Sequence, residues 1–277
     1  EHGPYYIRVA TRGRGGAWSA PHTLGISGQV RAPDIRVAAN ARGDAEVAWR
    51  GRRRLTRHSS IDAIQSSFRP AGGRFGPART APGHPRGGPQ QLLLDEDGNA
   101  YAVWNKQVQF GTQRRGGAWT VRGLGPSNTG EPVLAVARDG AIVVAWGHTN
   151  IAGHVIGPIS ARIRPAGGTF GPAVQIGGQI AYGLHALALA NGETVVVWGV
   201  ERPASVGPIL ADLHYVVRPP GGAFGPEVTP PGLSFGLTAG TDLAAFGDGR
   251  LVIVWGGNAI AAATRPAGGS FGAPESV

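Results

Sequence analysis

One short turn, copied six times, limits what this chain can fold into. Gly-Gly-x-aromatic occurs at Gly15-Gly16-Ala17-Trp18, Gly72-Gly73-Arg74-Phe75, Gly116-Gly117-Ala118-Trp119, Gly167-Gly168-Thr169-Phe170, Gly221-Gly222-Ala223-Phe224 and Gly268-Gly269-Ser270-Phe271. The first glycines stand 57, 44, 51, 54 and 47 residues apart. An arginine precedes the first glycine by three residues in five of the six: Arg12, Arg69, Arg164, Arg218 and Arg265. Self-similarity at this period means that copies of one small unit stack on one another, since each is too small to bury its own apolar faces.

A second motif interleaves with the first. Two-residue turns at Arg42-Gly43, Asp97-Gly98, Asp139-Gly140, Asn191-Gly192 and Asp248-Gly249 are each followed, six residues after the glycine, by Trp49, Trp104, Trp146, Trp198 and Trp255. Asp-Gly or Asn-Gly between apolar runs predicts a β-hairpin closed by a type I′ turn. Runs such as Ile142–Trp146 are too short and too β-branched for helices, and no segment sustains a helical period. Each unit therefore reads as four antiparallel strands, exemplified by a (Val133–Ala137), b (Ile142–Trp146), c (Ile159–Arg164) and d (Phe170–Ile176).

Four strands in 44–57 residues is the blade size of a β-propeller. Six c–d hairpins stand against five a–b hairpins. The expected fold is all-β: a six-bladed β-propeller with five complete four-stranded blades and one half blade, the N-terminal strands c (Tyr5–Thr11) and d (Trp18–Leu24). The whole chain, 1–277, forms one domain, with the half blade over 1–30 and blades over 31–82, 83–128, 129–180, 181–232 and 233–277. The a and b strands of the half blade are expected from a removed N-terminal segment or a neighbouring chain, and the absence of Met points the same way.

The segment Leu134-Ala135-Val136-Ala137-Arg138-Asp139-Gly140-Ala141-Ile142-Val143-Val144 resembles the repeat of NHL-type propellers. The Gly-Gly-x-aromatic turn resembles a degenerate Asp-box (Ser-x-Asp-x-Gly-x-Thr-Trp) at the c–d turns of sialidase-like, BNR-type propellers. Ala71, Ala166, Pro220 and Ala267 stand where the Asp of the box would precede the glycines, and the aromatic follows one residue early. The resemblance covers nearly the whole chain and implies architecture alone. The sialidase arginine triad, Tyr/Glu nucleophile pair and catalytic Asp have no matching positions here.

Composition excludes several classes. With 47 Gly and 22 Pro the chain could pass for low complexity, but 42% hydrophobic residues, seven Trp and 16% charge supply a buriable core. The glycines do not recur every third residue as in collagen, and no apolar run approaches the ~18 residues of a membrane-spanning helix. Without Cys there are no disulfides and no thiolate or zinc–thiolate chemistry. Residues 1–140 hold 20 of the 26 Lys and Arg and 10 of the 17 acids, a net of +10, whereas residues 141–277 carry −1. Arg outnumbers Lys 25 to 1, as an anionic partner or a GC-rich coding sequence would each produce. No RRM, KH or cold-shock motif is present, so nucleic acid is not the expected partner.

Residues that recur are expected to be structural. All seven Trp fall at repeat positions and are assigned to packing between blades, and the repeated Arg to carbonyls at the blade edge. Asp97, Asp139, Asn191 and Asp248 are turn formers. Tyr182 and Phe235, in d-to-a loops, stand out as free aromatic platforms.

Positions that differ between repeats carry the functional signal. Seven residues before the turn glycine stand Arg36, Gln91, Val133, His185 and Asp242; nine before stand Asp34, Pro89, Glu131, Gly183 and Gly240; five before stand Ala38, Leu93, Ala135, Leu187 and Ala244. Period-2 alternation puts these sets on one side of strand a. Strand a lines the channel of a propeller, so the channel reads as small and apolar in the middle and polar at its loop-bearing mouth. Asp34, Arg36, Gln91, Glu131, His185 and Asp242 converge there, the expected ligand site. The bland counterpart is that these side chains merely bridge neighbouring blades. One b-to-c loop adds Arg50, Arg52, Arg53, Arg54, Arg57 and His58, guanidinium groups suited to carboxylate, sulfate or phosphate. Another adds His148 and His154, whose spacing is weak for a metal. No metal or cofactor is assigned, and no G-x-S-x-G, H-E-x-x-H or P-loop occurs.

The leading expectation is a secreted or cell-surface, non-catalytic binding or scaffold propeller. Its ligand at the mouth would be a glycan, an anionic polymer or a protein. The first alternative is a polysaccharide-acting hydrolase or lyase with Asp34, Glu131 or Asp242 as acid or base, His185 as proton carrier and Arg36 on a substrate carboxylate. The second is a structural subunit of an extracellular assembly, with the half blade completed by another segment.

Overall fold

The computed structural model describes residues 5–13, 15–27, 34–54, 60–83, 85, 87–105, 107–126, 130, 132–149, 155–178, 181–202, 210–236, 240–256 and 259–277. Their regular elements are all β-strands, in two compact units, Glu1–Ser127 and Asn128–Val277. No helix long and apolar enough to cross a membrane occurs among the described residues.

The first unit opens with a two-stranded sheet, β1 (Tyr6–Val9) and β2 (His22–Ile26). Two four-stranded sheets follow: β3 (Ile35–Ala39), β4 (Ala45–Arg54), β5 (Ser60–Arg69) and β6 (Arg79–Thr80), then β7 (Pro89–Leu94), β8 (Ala100–Trp104), β9 (Gln109–Gln113) and β10 (Trp119–Gly123). The second unit holds three more. They are β11 (Val133–Val136), β12 (Ile142–Thr149), β13 (Val155–Arg164) and β14 (Val174–Gly177); β15 (Ala181–Ala188), β16 (Thr194–Glu201), β17 (Leu210–Arg218) and β18 (Ser234–Gly236); and β19 (Thr241–Ala245), β20 (Leu251–Trp255), β21 (Ala261–Arg265) and β22 (Glu275–Ser276). In every sheet consecutive strands pair antiparallel, as the repeat requires.

The hairpin after the first strand of each four-stranded sheet differs from the expected type I′ turn. The Gly43, Gly140 and Gly192 amides donate to the carbonyls three residues back, Asn40, Ala137 and Leu189. These glycines have φ of +88°, +79° and +86°, while Arg42, Asp139 and Asn191 before them keep negative φ. Each is a three-residue loop, a type I turn followed by a left-handed glycine that forms a G1 bulge. Only the glycine needs positive φ, which explains how Arg42 substitutes for Asp or Asn.

In the four sheets whose Gly-Gly turn carries Phe, the last strand starts later than the aromatic suggested, whereas β10 starts at Trp119 itself. After the Gly-Gly turn, Gly76, Gly171, Gly225 and Gly272 each donate one bond back, to the carbonyls of Phe68, Ile163, Val217 and Thr264. Pro77, Pro172 and Pro226 follow directly and have no N–H for the ladder. Pairing in the second unit's first sheet therefore resumes only at Val174.

Within each unit, apolar cores fill the space between neighbouring sheets. Ala48, Ile64, Leu92, Ala102, Trp104 and Trp119 join β3–β6 to β7–β10, and Ile7, Leu24, Val47 and Trp49 join β1–β2 to β3–β6. Ala135, Val143, Ile159, Val196 and Trp198 join β11–β14 to β15–β18, and Val197, Leu213, Tyr215, Ile253 and Phe271 join the latter to β19–β22. Trp49, Trp104, Trp146 and Trp198 are fully buried, as assigned. The aromatics of two Gly-Gly turns lean on the preceding sheet: Trp119 Nε1 donates to Ser66 Oγ on β5 at 2.8 Å, and Phe271 meets Tyr215 on β17 edge-on at 5.3 Å. Trp18 corrects the expectation for all seven tryptophans. It is 66% exposed.

Ion pairs tie neighbouring sheets at the turns. Asp44, after the β3–β4 turn glycine, is buried and receives Arg115 Nη2 of the β9–β10 turn at 2.9 Å, the Ala71 amide and Asn40. Burial pushes the Asp44 carboxyl up, but the Ala71, Asn40 and Arg115 contacts together hold it below the usual range. Glu193, after the β15–β16 turn glycine, receives Arg265 Nη1 at 3.0 Å. The repeated arginine is thus not uniformly a carbonyl ligand. Arg69 Nε donates to Gly73 O at 3.1 Å, whereas Arg265 spans two sheets. Arg218 is buried with Nε and Nη1 unpartnered among the described residues, and the sheet before it carries Ala141 where Asp44 and Glu193 stand.

Glu46 on β4 is fully buried, in register between Ala38 of β3 and Phe68 of β5, and neither carboxylate oxygen completes a hydrogen bond among the described residues. Burial pushes its pKa up to about 7 from an ordinary 4.5, against smaller opposing pulls from Ser66 and Arg79. The folded state therefore favours the proton. The associated stability is complete below pH ~4.5 and is lost as pH rises through ~7, about 3 kcal/mol in all. We expect Glu46→Gln to flatten the decline in melting temperature between pH 5 and pH 8 and to leave the variant more stable than wild type at pH 8; parallel wild-type and variant curves would contradict this. Glu193→Gln should cost ~3 kcal/mol in urea unfolding, since it leaves the buried Arg265 without a counter-charge.

Candidate functional site

The first strands of the two four-stranded sheets in the first unit bring three of the expected mouth residues together. Asp34 precedes β3, and its Oδ2 accepts the Gly88 amide at 3.0 Å, just before β7. Arg36 on β3 reaches across to donate from Nε to Gln90 O at 2.7 Å, while Nη1 donates to its own neighbour Ile35 O at 3.0 Å. Gln91 lies half-buried on β7, paired with Val103. Two carbonyls thus fix the Arg36 guanidinium on an exposed strand, and Nη2 has no partner among the described residues. Close approach at Gly88 makes this possible, because a Cβ there would sit 2.0 Å from that of Asp34.

In the second unit His185 Nε2 lies 3.1 Å from Thr241 Oγ1, linking β15 to β19. Asp242 is exposed and turns back to accept the amide of Leu243 at 2.8 Å. His185 therefore meets the residue beside Asp242. Tyr182 pairs with Gly199 through the backbone of β15, and His148 is half-buried on β12. Glu131 and His154 lie outside the described residues, as do Arg57 and His58 and the side chains of Tyr182, Arg53 and Arg54. Much of what the sequence offered as a mouth thus also bridges neighbouring sheets.

Two other expectations change. The arginine run is strand rather than loop: β4 continues to Arg54, with Arg52 opposite Asp62, Arg53 opposite Ile61 and Arg54 opposite Ser60. Arg50 is ion-paired with Asp62, so its charge is offset. Arg52 is exposed. Phe235 is no free platform: on β18 it is buried in the core between β15–β18 and β19–β22. Gly199 makes room for its ring, since a Cβ there would come 2.5 Å from Phe235 Cζ.

Sequence reasoning missed one histidine. His214 on β17 places Nδ1 2.6 Å from Glu227 Oε1 and 3.2 Å from Thr229 Oγ1, and its ring stacks on Trp198 at 6.2 Å. Both partners use the same nitrogen, which orients Nε2 away from the carboxylate. Nothing in the repeat marks this pair, because Glu227 sits in the irregular stretch before β18. No cluster of three or more His, Asp or Glu side chains able to hold a metal occurs among the described residues.

No protein-family model and no curated protein matches this sequence. Solved structures do. One is an ulvan lyase of polysaccharide lyase family 25, at 11% identity, TM-score 0.58, over 95% of this chain and 76% of that one; a second structure of that lyase carries -[GlcA(1-4)Rha3S]-. An α-L-arabinanase of Penicillium chrysogenum complexed with arabinobiose matches at 11% identity and TM-score 0.50, over 88% of this chain and 80% of that one. YCF48 bound to D1 peptide matches at 15% identity and TM-score 0.51, over 99% of this chain and 75% of that one. These are β-propeller-type proteins, and at such identity the likeness is one of fold: four-stranded antiparallel sheets repeated along an all-β chain.

Because Asp34 and Gly88 are in contact, Gly88→Ala should cost ~2 kcal/mol by overpacking. The check is the urea midpoint of the variant, which an unchanged value would refute.

Proposed function

We propose that this chain is a secreted or surface-displayed carbohydrate-binding β-propeller that holds an anionic glycan without transforming it. Its six blades would include a first half blade formed by β1 and β2. The ligand site comprises Asp34, Arg36 and Gln91 at the ends of β3 and β7. The observation that carries the reading is Arg36: a guanidinium held by two backbone carbonyls, with Nη2 turned to no partner among the described residues. A pre-positioned guanidinium loses little freedom when it meets a carboxylate or sulfate. The carboxyl raised to about 7, Glu46, is sealed between sheets and has no route to a substrate, which favours binding over acid catalysis. The likeness to a lyase seen with a glucuronate- and sulfate-bearing glycan adds support for the ligand class.

A second reading, a polysaccharide hydrolase or lyase, draws on His214, whose Nδ1 is held by Glu227 so that Nε2 is available for proton transfer. One experiment separates the two. Carboxylated, sulfated and neutral glycans are presented on an array, and the best ligand is then incubated with the protein and its chain length measured. We expect saturable binding that Arg36→Gln weakens ~10-fold, with the glycan unchanged. Shortened or unsaturated products that disappear in His214→Gln would transfer the assignment to the enzyme.

A further inference from the structure

Two copies of the motif arginine in the second unit can be compared directly. Arg265 on β21 lies opposite Leu251 of β20, and its Nη1 meets Glu193 Oε2 of the preceding sheet at 3.0 Å. Arg218 on β17 lies opposite Thr194 of β16. Two residues along these strands, the paired Val196 and Val216 pack against β11–β14. Alternation therefore turns Thr194 and Arg218 toward that sheet as well, and it is a complete four-stranded one. The place that Glu193 holds, first after the turn glycine, is filled there by Ala141. Val143 and Ile163 of the same sheet are apolar and pack across the same interface.

Arg218 is nevertheless as buried as Arg265, at 3% against 2% exposure. Its Nε and Nη1 meet no acceptor, and its side chain enters no ion pair among the described residues. Asp139, the acid nearest to Ala141 in sequence, is exposed and accepts the Ala141 amide at 2.9 Å, as Asn191 accepts that of Glu193. Thr194 is fully buried, and its hydroxyl is also unpartnered among the described residues. Its presence is a second departure from the repeat. In the other four-stranded sheets the residue opposite this motif position is apolar: Ala45, Ala100, Ile142 and Leu251. Around Arg218 the repeat thus loses an acid and gains a hydroxyl. A buried guanidinium keeps its charge, and leaving it unmatched is strongly destabilising.

We propose that Arg218 and Thr194 form a binding site for a small monovalent anion of chloride size, seated beside Ala141 where the next sheet receives a carboxylate from Glu193. One guanidinium carries one positive charge, so a monovalent ion neutralises it, whereas a divalent ion would leave a buried charge over. Guanidinium N–H and hydroxyl O–H groups both donate, and charge-assisted bonds of this kind are the strong ones. The ion fastens β15–β18 to β11–β14, as the Glu193–Arg265 pair fastens β19–β22 to β15–β18. The site is separate from Asp34, Arg36 and Gln91 and does not depend on a glycan.

The test is thermal unfolding of the full chain at fixed ionic strength, with isethionate, too large for the place of a carboxylate, exchanged stepwise for chloride. The chloride NMR line width reads binding directly. Wild type should gain ~3 °C or more in melting temperature by about 0.1 M chloride, and it should broaden the chloride line. Ala141→Glu supplies the carboxylate from within the chain, so it should melt above wild type in isethionate and lose the chloride response in both readouts. Should Ala141→Glu unfold, Arg218→Met, an uncharged chain of similar length, must abolish the response instead. Ion effects at Arg36 or on the surface are common to these proteins and cancel in the comparison. A wild type indifferent to chloride, or a chloride response retained by either folded variant, would overturn the site and leave the proposed function standing.

Discussion

A sheet of four short strands cannot bury either of its own faces, and the rest of this structure follows from that. The middle strand β16 is apolar on both faces because it is covered from both sides within its unit, by β11–β14 on one side and β19–β22 on the other. The bulkiest buried side chains, Trp49, Trp104, Trp146 and Trp198, need hollows in what faces them. Glycines supply two of them: a Cβ at Gly177 would come 2.6 Å from Trp198, and one at Gly25 would come 2.7 Å from Trp49. Regular hairpin geometry sets the spacing of the sheets, and tryptophan fills it.

Apolar stacking alone would let one sheet slide over the next. The turns add direction, through Asp44 to Arg115 and Glu193 to Arg265, each a partly buried pair whose geometry admits one register. The exposed pair Arg42–Asp97 joins two turns as well but contributes little, since water screens it. These links are not copied into every repeat. Among the described residues Arg218 meets no acid and stays buried with two nitrogens unpartnered, and Arg69 donates to the carbonyl of Gly73 in its own turn. Repetition turns such departures into information, because the regular copies show what each position ordinarily does.

How legible the molecule was in its sequence can be judged residue by residue. The strand order, the pairing of neighbours and the burial of the b-strand tryptophans all follow from motifs with a backbone reason. The turn chemistry was legible in part. Asp139-Gly140 marked a hairpin, but the pair alone does not separate a two-residue loop from a type I turn with a G1 bulge, which depends on how the flanking strands pair. Phe170 marked the last strand too early because Pro172 cannot join the ladder. Among candidate site residues, Asp34, Arg36 and Gln91 fall at or on the adjoining strands β3 and β7. The sequence alignment took Arg50 for part of an unpaired cluster, although Asp62, twelve residues on, lay opposite in the hairpin. It passed over His214, which joins segments with no shared motif.

By itself the sequence determined the repeating unit, because hairpin turns demand glycine at fixed places and short Val-rich strands demand cover on both faces. Those are local requirements, written in neighbouring residues. Which arginine is satisfied and which is open was decided only by the tertiary structure. Arg69 and Arg265 stand in the same eight-residue motif, and they differ because Arg265 is met by Glu193, seventy-two residues earlier in the chain, while Arg69 donates to the carbonyl of Gly73 in its own turn. Charge neutralisation acts over a few ångströms of space, and which groups come that close depends on how the sheets stack.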